Sequence, residues 1–265
     1  MPAGASDDAT LTAAWNVARA AIGGAIPNAG QPPMQPIPAA HDAHIQQLRN
    51  APWLQAMFNG PWQNATFQLV QIDSLLAFQI TVDTDRATHH CGGLTNPPTL
   101  AQLLPICLPT VDAPENIVIS ELPPAQPGIP ANSKSIILKS RSLNFRVVNQ
   151  GQVAPNVLGI QLGMALPHVQ VLRFNNRSYL HNGFHRATGA RALGATEIPC
   201  LVRDVASADE VGIRTDGTTF PLALLESANP PTLGHFIPGR AHNVMLRAMM
   251  RIVQLSWADH ILPVD

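Results

Sequence analysis

The residue types best suited to chemistry lie together in one short segment, Asn182-Gly183-Phe184-His185-Arg186-Ala187. The segment follows a strand-like run and opens a helix-like one, which predicts a tight glycine turn at a helix N-terminus. Backbone N–H groups and the positive end of the helix dipole attract anions at such a turn. Gly183 permits a close backbone approach, while His185 and Arg186 add a donor and a fork-shaped cation. The segment therefore predicts a phosphate-binding loop.

The composition is that of a folded protein. The chain has 265 residues, of which 46% are hydrophobic and 12% charged, and its formal net charge is −1. A disordered chain has the opposite balance, and the lack of general positive charge gives no support for nucleic acid binding. An odd set of 3 cysteines argues against a disulfide framework. Without a signal-peptide pattern or an apolar run of about 18 residues, we expect a cytoplasmic protein with no membrane contact.

Apolar periodicity and turn residues predict the elements that position the segment. The predicted helices span 9–22, 41–58 with a break near Pro52, 99–104 ending before Pro105, 156–166, 185–193 and 241–258. The predicted strands span 67–73, 135–138, 143–148, 169–174, 178–181 and 198–203, with extended chain over 78–83. Prolines favour a loop over 109–134. The amphipathic helix at 241–258 is expected to pack on the core and to offer a surface for a homo-oligomer.

The clearest hairpin in the chain comes directly before the glycine turn. Val169-Gln-Val-Leu-Arg-Phe reads as one strand, and Ser178-Tyr-Leu-His as the return strand. Asn175 and Asn176 between them tolerate positive φ. After the turn, Gly194 is a suitable residue to end the next helix. The order strand, turn, strand, glycine turn, helix, strand is therefore predicted for 169–204.

This run resembles the core of the ParB/sulfiredoxin superfamily, which includes the ParB-like nuclease domain. Gly183 and Arg186, the Leu193-Gly194 pair and Ile198-Pro199 fall in the register of that core. The resemblance covers residues 169–204 and extends weakly to 67–82. It implies an α+β fold, a small mixed sheet with helices, in a bacterial protein. The expected organisation is a helical extension at 1–60, a ParB/sulfiredoxin-like domain at 65–205 with an insertion at about 109–165, and a C-terminal segment at 206–265.

The resemblance also implies a function, which is to bind a nucleotide phosphate at 182–187. ATP or CTP with Mg²⁺ is the expected ligand, and phosphoryl transfer or phosphodiester hydrolysis is the expected reaction. Asp83 or Asp85 would be the base or metal ligand, and His185 the third candidate catalytic residue. Phe184 stands where sulfiredoxins carry a catalytic cysteine, which argues against sulfinic acid reduction. Asn182 stands where an aspartate is common in the superfamily.

Two other kinds of function stay open. One is a non-enzymatic DNA-binding or regulatory module of a plasmid, phage or bacterial conflict system. The other is a catalytically inactive scaffold that kept the fold. A resident metal site is not expected: His89-His90-Cys91-Gly92-Gly93 has too few nearby partners for the three or four ligands that zinc requires, and an ordinary polar loop is the favoured interpretation of that stretch.

Overall fold

The computed structural model describes most of the chain between residues 34 and 258. Described are residues 34–60, 62–110, 117–122, 133–140, 145–164, 167–213, 219–236, 241 and 251–258, with single helical positions at 9, 13, 16, 17 and 20. The rest of the predicted helix at 9–22 lies outside the described residues. The chain divides into two compact units: Met1–Asp112 with Pro167–Leu246, and Ala113–Leu166 with Arg247–Asp265.

The described residues form both helices and strands. The strands are β1 (Gln35–Pro36), β2 (Thr66–Gln71), β3 (Ile117–Leu122), β4 (Ser133–Ser140), β5 (Phe145–Ala154), β6 (Val157–Met164), β7 (Gln170–Phe174), β8 (Arg177–Asn182), β9 (Glu197–Asp204) and β10 (Arg251–Ala258). The α-helices are α1 (Asp42–Asn50), α2 (Pro52–Phe58), α3 (Thr84–Cys91), α4 (Leu100–Cys107), α5 (Phe184–Ala192), α6 (Ala208–Val211) and α7 (Leu222–Leu225). The protein is thus a mixed α+β fold. None of the helices in the described part is long and apolar enough to span a membrane.

The first unit contains a five-stranded sheet with the spatial order β1-β2-β9-β7-β8. Its neighbours pair antiparallel except β7 and β9, which are parallel. The chain crosses from β7 to β9 through β8 and α5, so α5 lies in the connection between the two parallel strands. Fully buried side chains that anchor this core include Tyr179, Leu180, Ile198 and Leu201.

The predicted hairpin and the helix after it are confirmed. Asn175 and Asn176 join β7 to β8 with φ of 49° and 57°, the left-handed values that asparagine tolerates. Gly183 precedes α5 with φ of 99°, and Gly194 follows it with φ of 85°. These positions were predictable because each one needs a backbone conformation that few residue types adopt.

The predicted break at Pro52 is also confirmed, because α1 ends at Asn50 and α2 begins at Pro52. The predicted end of the next helix before Pro105 is wrong. Thr99 and Gln102 form a capping box that starts α4, which continues through Pro105 to Cys107. Proline removes only one hydrogen bond from so short a helix. Burial of Leu103, Leu104 and Cys107 outweighs that loss.

Two corrections concern the second unit, where strands replace a predicted helix and a predicted loop. Residues 156–166 do not form a helix: β6 spans Val157–Met164 and pairs antiparallel with β5. Gly159 and Gly163 weaken a helix there, and the turn at Asn156, whose φ is 60°, folds the chain back onto β5. The predicted loop over 109–134 contains β3, which pairs with β4 through the β-branched run that begins at Ile117.

The prediction of an amphipathic helix at 241–258 is wrong over 251–258. These residues form β10, which pairs with β4 along its whole length and makes the sheet β10-β4-β3. Exposed Ile252, Gln254 and Ser256 alternate with half-buried Val253 and Leu255, a period of two that suits a strand edge. Residues 242–250 lie outside the described part. Over 251–258, a strand thus replaces the helix through which a homo-oligomer was expected.

Candidate functional site

The turn before α5 is tight because of packing. A Cβ on Gly183 would lie 2.7 Å from Cγ2 of Val169 and 3.0 Å from its Cα. The Asn182 side chain fixes the turn: its Oδ1 accepts from the Gly183 N–H at 2.8 Å, and its Nδ2 donates to the His168 carbonyl at 3.1 Å. The close approach predicted for Gly183 is thus made to Val169, and it holds the first turn of α5 against β7.

Two of the predicted phosphate-contacting residues belong to the core. Phe184 is 3% exposed and meets Phe78 edge-to-face, with ring centroids 5.7 Å apart. Ala187 is fully buried, and its N–H donates to the Gly183 carbonyl at 2.9 Å. The N–H groups of residues 184–186 are the ones that have no acceptor within the helix. An anion at this helix end would therefore meet those three amides.

Arg186 points inward from the first turn of α5. The side chain is buried, and its Nη1 donates to the carbonyl oxygens of Ile106 and Pro167. Ile106 is in the last turn of α4, where unpaired carbonyls favour a cation. Arg186 thus ties α5 to the end of α4 and to the chain entering β7. Its predicted fork contact with a phosphate stays a prediction, and that contact would require the guanidinium to leave these carbonyls.

The next three carbonyls along the chain, at the end of α4 and just after it, are also paired with groups from other segments. The Cys107 carbonyl accepts from the Val169 N–H at 2.8 Å, the Leu108 carbonyl pairs with Nε2 of His44 at 2.8 Å, and the Pro109 carbonyl pairs with Nε2 of His168 at 3.2 Å. Burial and the charge of Arg186 lower the pKa of His168 to about 4, against the opposing effect of the bond to Pro109. His168 is therefore neutral at pH 7.

Helices α3 and α5 pack at very close range. A Cβ on Gly189 would lie 2.5 Å from the Ala87 carbonyl oxygen and 2.7 Å from the Cys91 Sγ. The Cys91 thiol donates to the Arg186 carbonyl at 3.7 Å. Because only glycine fits at this contact, the two helices bring the end of α3 beside the beginning of α5.

This packing pairs two imidazole rings. His90, in the last turn of α3, stacks on His185, in the first turn of α5, with centroids 6.5 Å apart and ring planes inclined by 29°. His89 lies beside His90, with centroids 6.1 Å apart. His90 is exposed and His185 half-buried, so a ligand can reach both rings. We call His90 and His185 the imidazole pair.

Two arginines, Arg86 and Arg186, lie near the imidazole pair. Desolvation lowers the pKa of His90 to about 4, together with the charges of Arg186, His185, His89 and Arg86. Desolvation also lowers the pKa of His185; Arg86 and Arg186 contribute in the same direction and Asp83 opposes them. Both rings are therefore neutral at pH 7 in the free protein. An anion bound between them would raise both pKa values.

The two predicted acids lie at the start of α3. Asp83 caps that helix, its Oδ1 accepting from the Arg86 N–H at 3.0 Å, and its Oδ2 lies 3.5 Å from the Arg86 Nε. Asp83 is also near enough to His185 for its charge to oppose the lowering of that ring's pKa. Asp85 is exposed in the first turn. The structure thus brings Asp83 towards the imidazole pair, on the side of Arg86.

The three cysteines have buried thiols close to Arg186. Burial raises the pKa of Cys91 and of Cys200, and raises that of Cys107 to about 12, with the Arg186 charge opposing in each case. Such thiols are protonated and poor nucleophiles. Across the part of the chain that the structure describes, no group of three or more His, Cys, Asp and Glu side chains could hold a metal ion.

A cavity of about 740 Å³ lies at the opposite end of the β7–β8 hairpin, where Arg173 and Asp204 line it. The two side chains form a paired contact, with N–O distances of 2.6 and 2.5 Å. Their charges therefore compensate each other. Near the imidazole pair, the charge of Arg186 meets carbonyl oxygens, so the imidazole pair is the better candidate for an anionic ligand.

His90 was not among the residues predicted for the site. The stretch His89-His90-Cys91 was predicted to be a loop, whereas it forms the end of α3. Two features of the sequence indicate the helix and its close packing. Asp83 can cap a helix by accepting from the Arg86 N–H, and Gly189 permits close helix packing. Neither signal says which helices pack together, and that pairing creates the site.

Comparisons of the sequence with family models and with curated proteins, and of the fold with solved structures, find no match. The resemblance to the ParB/sulfiredoxin superfamily rests on the motifs within residues 169–204 and stays a prediction.

Proposed function

We propose that this chain binds a nucleotide through its phosphates at the imidazole pair and the first turn of α5. The observation that carries the proposal is the stacking of His90 on His185 within a group of positive charges at a helix N-terminus. Burial lowers the pKa of both rings, and the charges of Arg86 and Arg186 add to that effect. A phosphate would relieve that repulsion and accept hydrogen bonds from the rings and from the amides of residues 184–186.

The parts of the site contribute different amounts of affinity. A helix N-terminus contributes about 0.3–1 kcal/mol towards an anion, and each charged hydrogen bond contributes about 1.5–3 kcal/mol. One N–H donor from each neutral imidazole and the helix amides, all directed at a charged phosphate, together support micromolar binding, which corresponds to about 8 kcal/mol. Arg186 takes part as a positioning residue, since its side chain holds α5 and adds positive charge without facing outward.

The reaction that fits these groups is phosphoryl transfer or phosphodiester hydrolysis. His185 is neutral at pH 7 and can accept the proton of an attacking water or hydroxyl as the bond to phosphorus forms. Asp83, on the side of Arg86, stabilises the imidazolium that results. Asp85 lies two residues further on and is a second acid at the same edge. The leaving oxygen departs with the electron pair of the broken P–O bond.

Mg²⁺ is expected to arrive with the nucleotide. The described residues supply no three-ligand group, and the carboxylate of Asp83 is already engaged by Arg86. Mg²⁺ is commonly held by one or two carboxylates and the substrate phosphates, so the residues here do not make a dedicated site. The proton transfer to His185 and the cleavage of the P–O bond described above use only the chain's own residues.

Calorimetry with ATP and CTP, each with and without Mg²⁺, tests the proposal. We expect micromolar binding that weakens at least about 10-fold in the variant His90→Gln/His185→Gln, which loses one or more charged hydrogen bonds. His41→Gln is the matched control, since His41 is half-buried in the same unit and outside the pair. No heat of binding with either nucleotide, or equal loss in the control, would refute the proposal. Retention of DNA in a gel shift without nucleotide binding would favour the regulatory alternative.

A further inference from the structure

The second unit contains a hairpin whose two described strands, β5 and β6, pair with each other. β5 and β6, joined at Pro155-Asn156, make a two-stranded sheet of their own among the strands that the structure describes. We call this hairpin, Phe145–Met164, the arm. Two strands alone are marginally stable in water and need further packing on one face.

On one face of the arm, β6 carries a column of apolar residues from base to tip, with Gln150 and Gln152 of β5 opposite its outer end. Val147 pairs with Leu162 and Phe145 with Met164, and directly opposed residues share a face. Leu158 and Ile160 lie on that face as well, because alternate residues of a strand do. Phe145 at the base is 0% exposed, whereas Ile160 is 50% and Leu158 85% exposed. The apolar column therefore leaves the core and ends in solvent, where it lacks the packing that its base has.

The charge of the arm restricts what can cover this face. Arg146 is the only charged residue in 145–164. Nucleic acids and charged peptides would find almost no ion-pair partners on such a surface. Membrane-surface elements combine an apolar face with lysine and arginine, which the tip lacks. A second copy of the arm is equally apolar and uncharged, and the whole chain has a formal net charge of −1, so two copies repel each other little.

We propose that the arm is a dimerisation element, and that two copies of this chain pack the faces formed by Val147, Leu158, Ile160 and Leu162 against each other. The interface is twofold, with the same patch on both copies. It differs from the oligomer expected through a C-terminal helix, and it goes beyond nucleotide binding.

The test is sedimentation equilibrium of the full chain from about 1 µM to about 1 mM, the range over which weak dimers form. The wild type should convert from monomer to dimer. Leu158→Asp and Ile160→Asp should each raise the dissociation constant of the dimer by about 10- to 100-fold, the effect of losing one buried apolar side chain. Circular dichroism checks that both variants keep the wild-type fold, and Leu158→Gln provides a milder change with the same expected direction.

Val157→Asp is the matched control, because Val157 is 48% exposed at the same tip but lies on the opposite face. It should dimerise as the wild type does. The proposal is overturned by a wild type that stays monomeric throughout, or by equal weakening in the Val157 and Leu158 variants. It is also overturned if the protein binds neutral phosphatidylcholine vesicles through Leu158 while staying monomeric, which would make lipid the occupant.

Discussion

Replacing Arg186 by leucine should destabilise the first unit, because this side chain acts as a structural clamp that joins α5 to the end of α4 and to the chain before β7. Its Nη1 donates to the carbonyls of Ile106 and Pro167, and leucine fills similar space without a donor. Each buried acceptor left without a partner costs about 1–3 kcal/mol. The free energy of unfolding should therefore fall by about 2–5 kcal/mol, and Tm by about 5–15 °C for a unit of this size.

Arg191→Leu is the matched control on the same helix. Arg191 pairs with Asp73, whose side chain is 67% exposed, and such surface pairs contribute about 0–1 kcal/mol. Urea unfolding followed by circular dichroism compares the two variants at pH 7. If Arg186→Leu is as stable as Arg191→Leu and loses only nucleotide affinity, the guanidinium faces the phosphate and the clamp is refuted.

Three further predictions follow from the same contacts. Gly189→Ala should cost about 1–3 kcal/mol of stability and weaken nucleotide binding, because its Cβ would lie 2.5 Å from a carbonyl oxygen of α3. In the control Gly93→Ala, the added Cβ would have no atom within 4 Å, so stability should change by less than about 0.5 kcal/mol in chemical denaturation. The unfolding free energy should fall as pH drops from 6.5 to about 4, because unfolded His168 takes up a proton that the folded ring resists, which contributes about 3 kcal/mol. The lowered pKa of His90 acts in the same direction, so His168→Gln should reduce this pH dependence in urea titrations without removing it. Cys107, whose pKa burial raises to about 12, should react with a thiol reagent only after unfolding, and early reaction in native buffer would contradict the buried position.

The elements around the glycine turn were predictable because their residues leave the backbone little choice. Asn175, Asn176, Gly183 and Gly194 all adopt positive φ, and each of these residue types tolerates it. The strands and the helix between these points follow from the alternation and periodicity of the intervening apolar residues.

The errors arose where the apolar pattern fits two periods. In Val157-Leu-Gly-Ile-Gln-Leu-Gly-Met, Val157, Ile160 and Met164 have helical spacing, whereas every second residue from Leu158 is apolar, and pairing with the adjacent strand β5 across the turn at Asn156 decides the outcome. Residues 251–258 pair instead with β4, more than a hundred residues earlier in the chain. Such long-range pairing overrides local preference, and a local pattern cannot reveal it.

The candidate site was predicted in part for the same reason. The turn at 182–187 depends on local residues and was predicted. His90, which contacts His185, comes from a distant part of the chain and was not. His90 reaches it because Gly189 lets α3 and α5 touch, and Arg186 turns inward because α4 ends where it can accept a cation. Both facts depend on packing between segments that are about a hundred residues apart.

Phosphate binding at the imidazole pair is tested most directly by an NMR titration of the imidazole carbon-bound protons of His90 and His185, in the absence and presence of saturating ATP. We predict a pKa of about 4 for His90 in the free protein, a lowered pKa for His185, and a rise in both when the phosphates bind. Two rings that titrate at the ordinary histidine value, or pKa values unchanged by nucleotide that is bound elsewhere, would contradict this prediction.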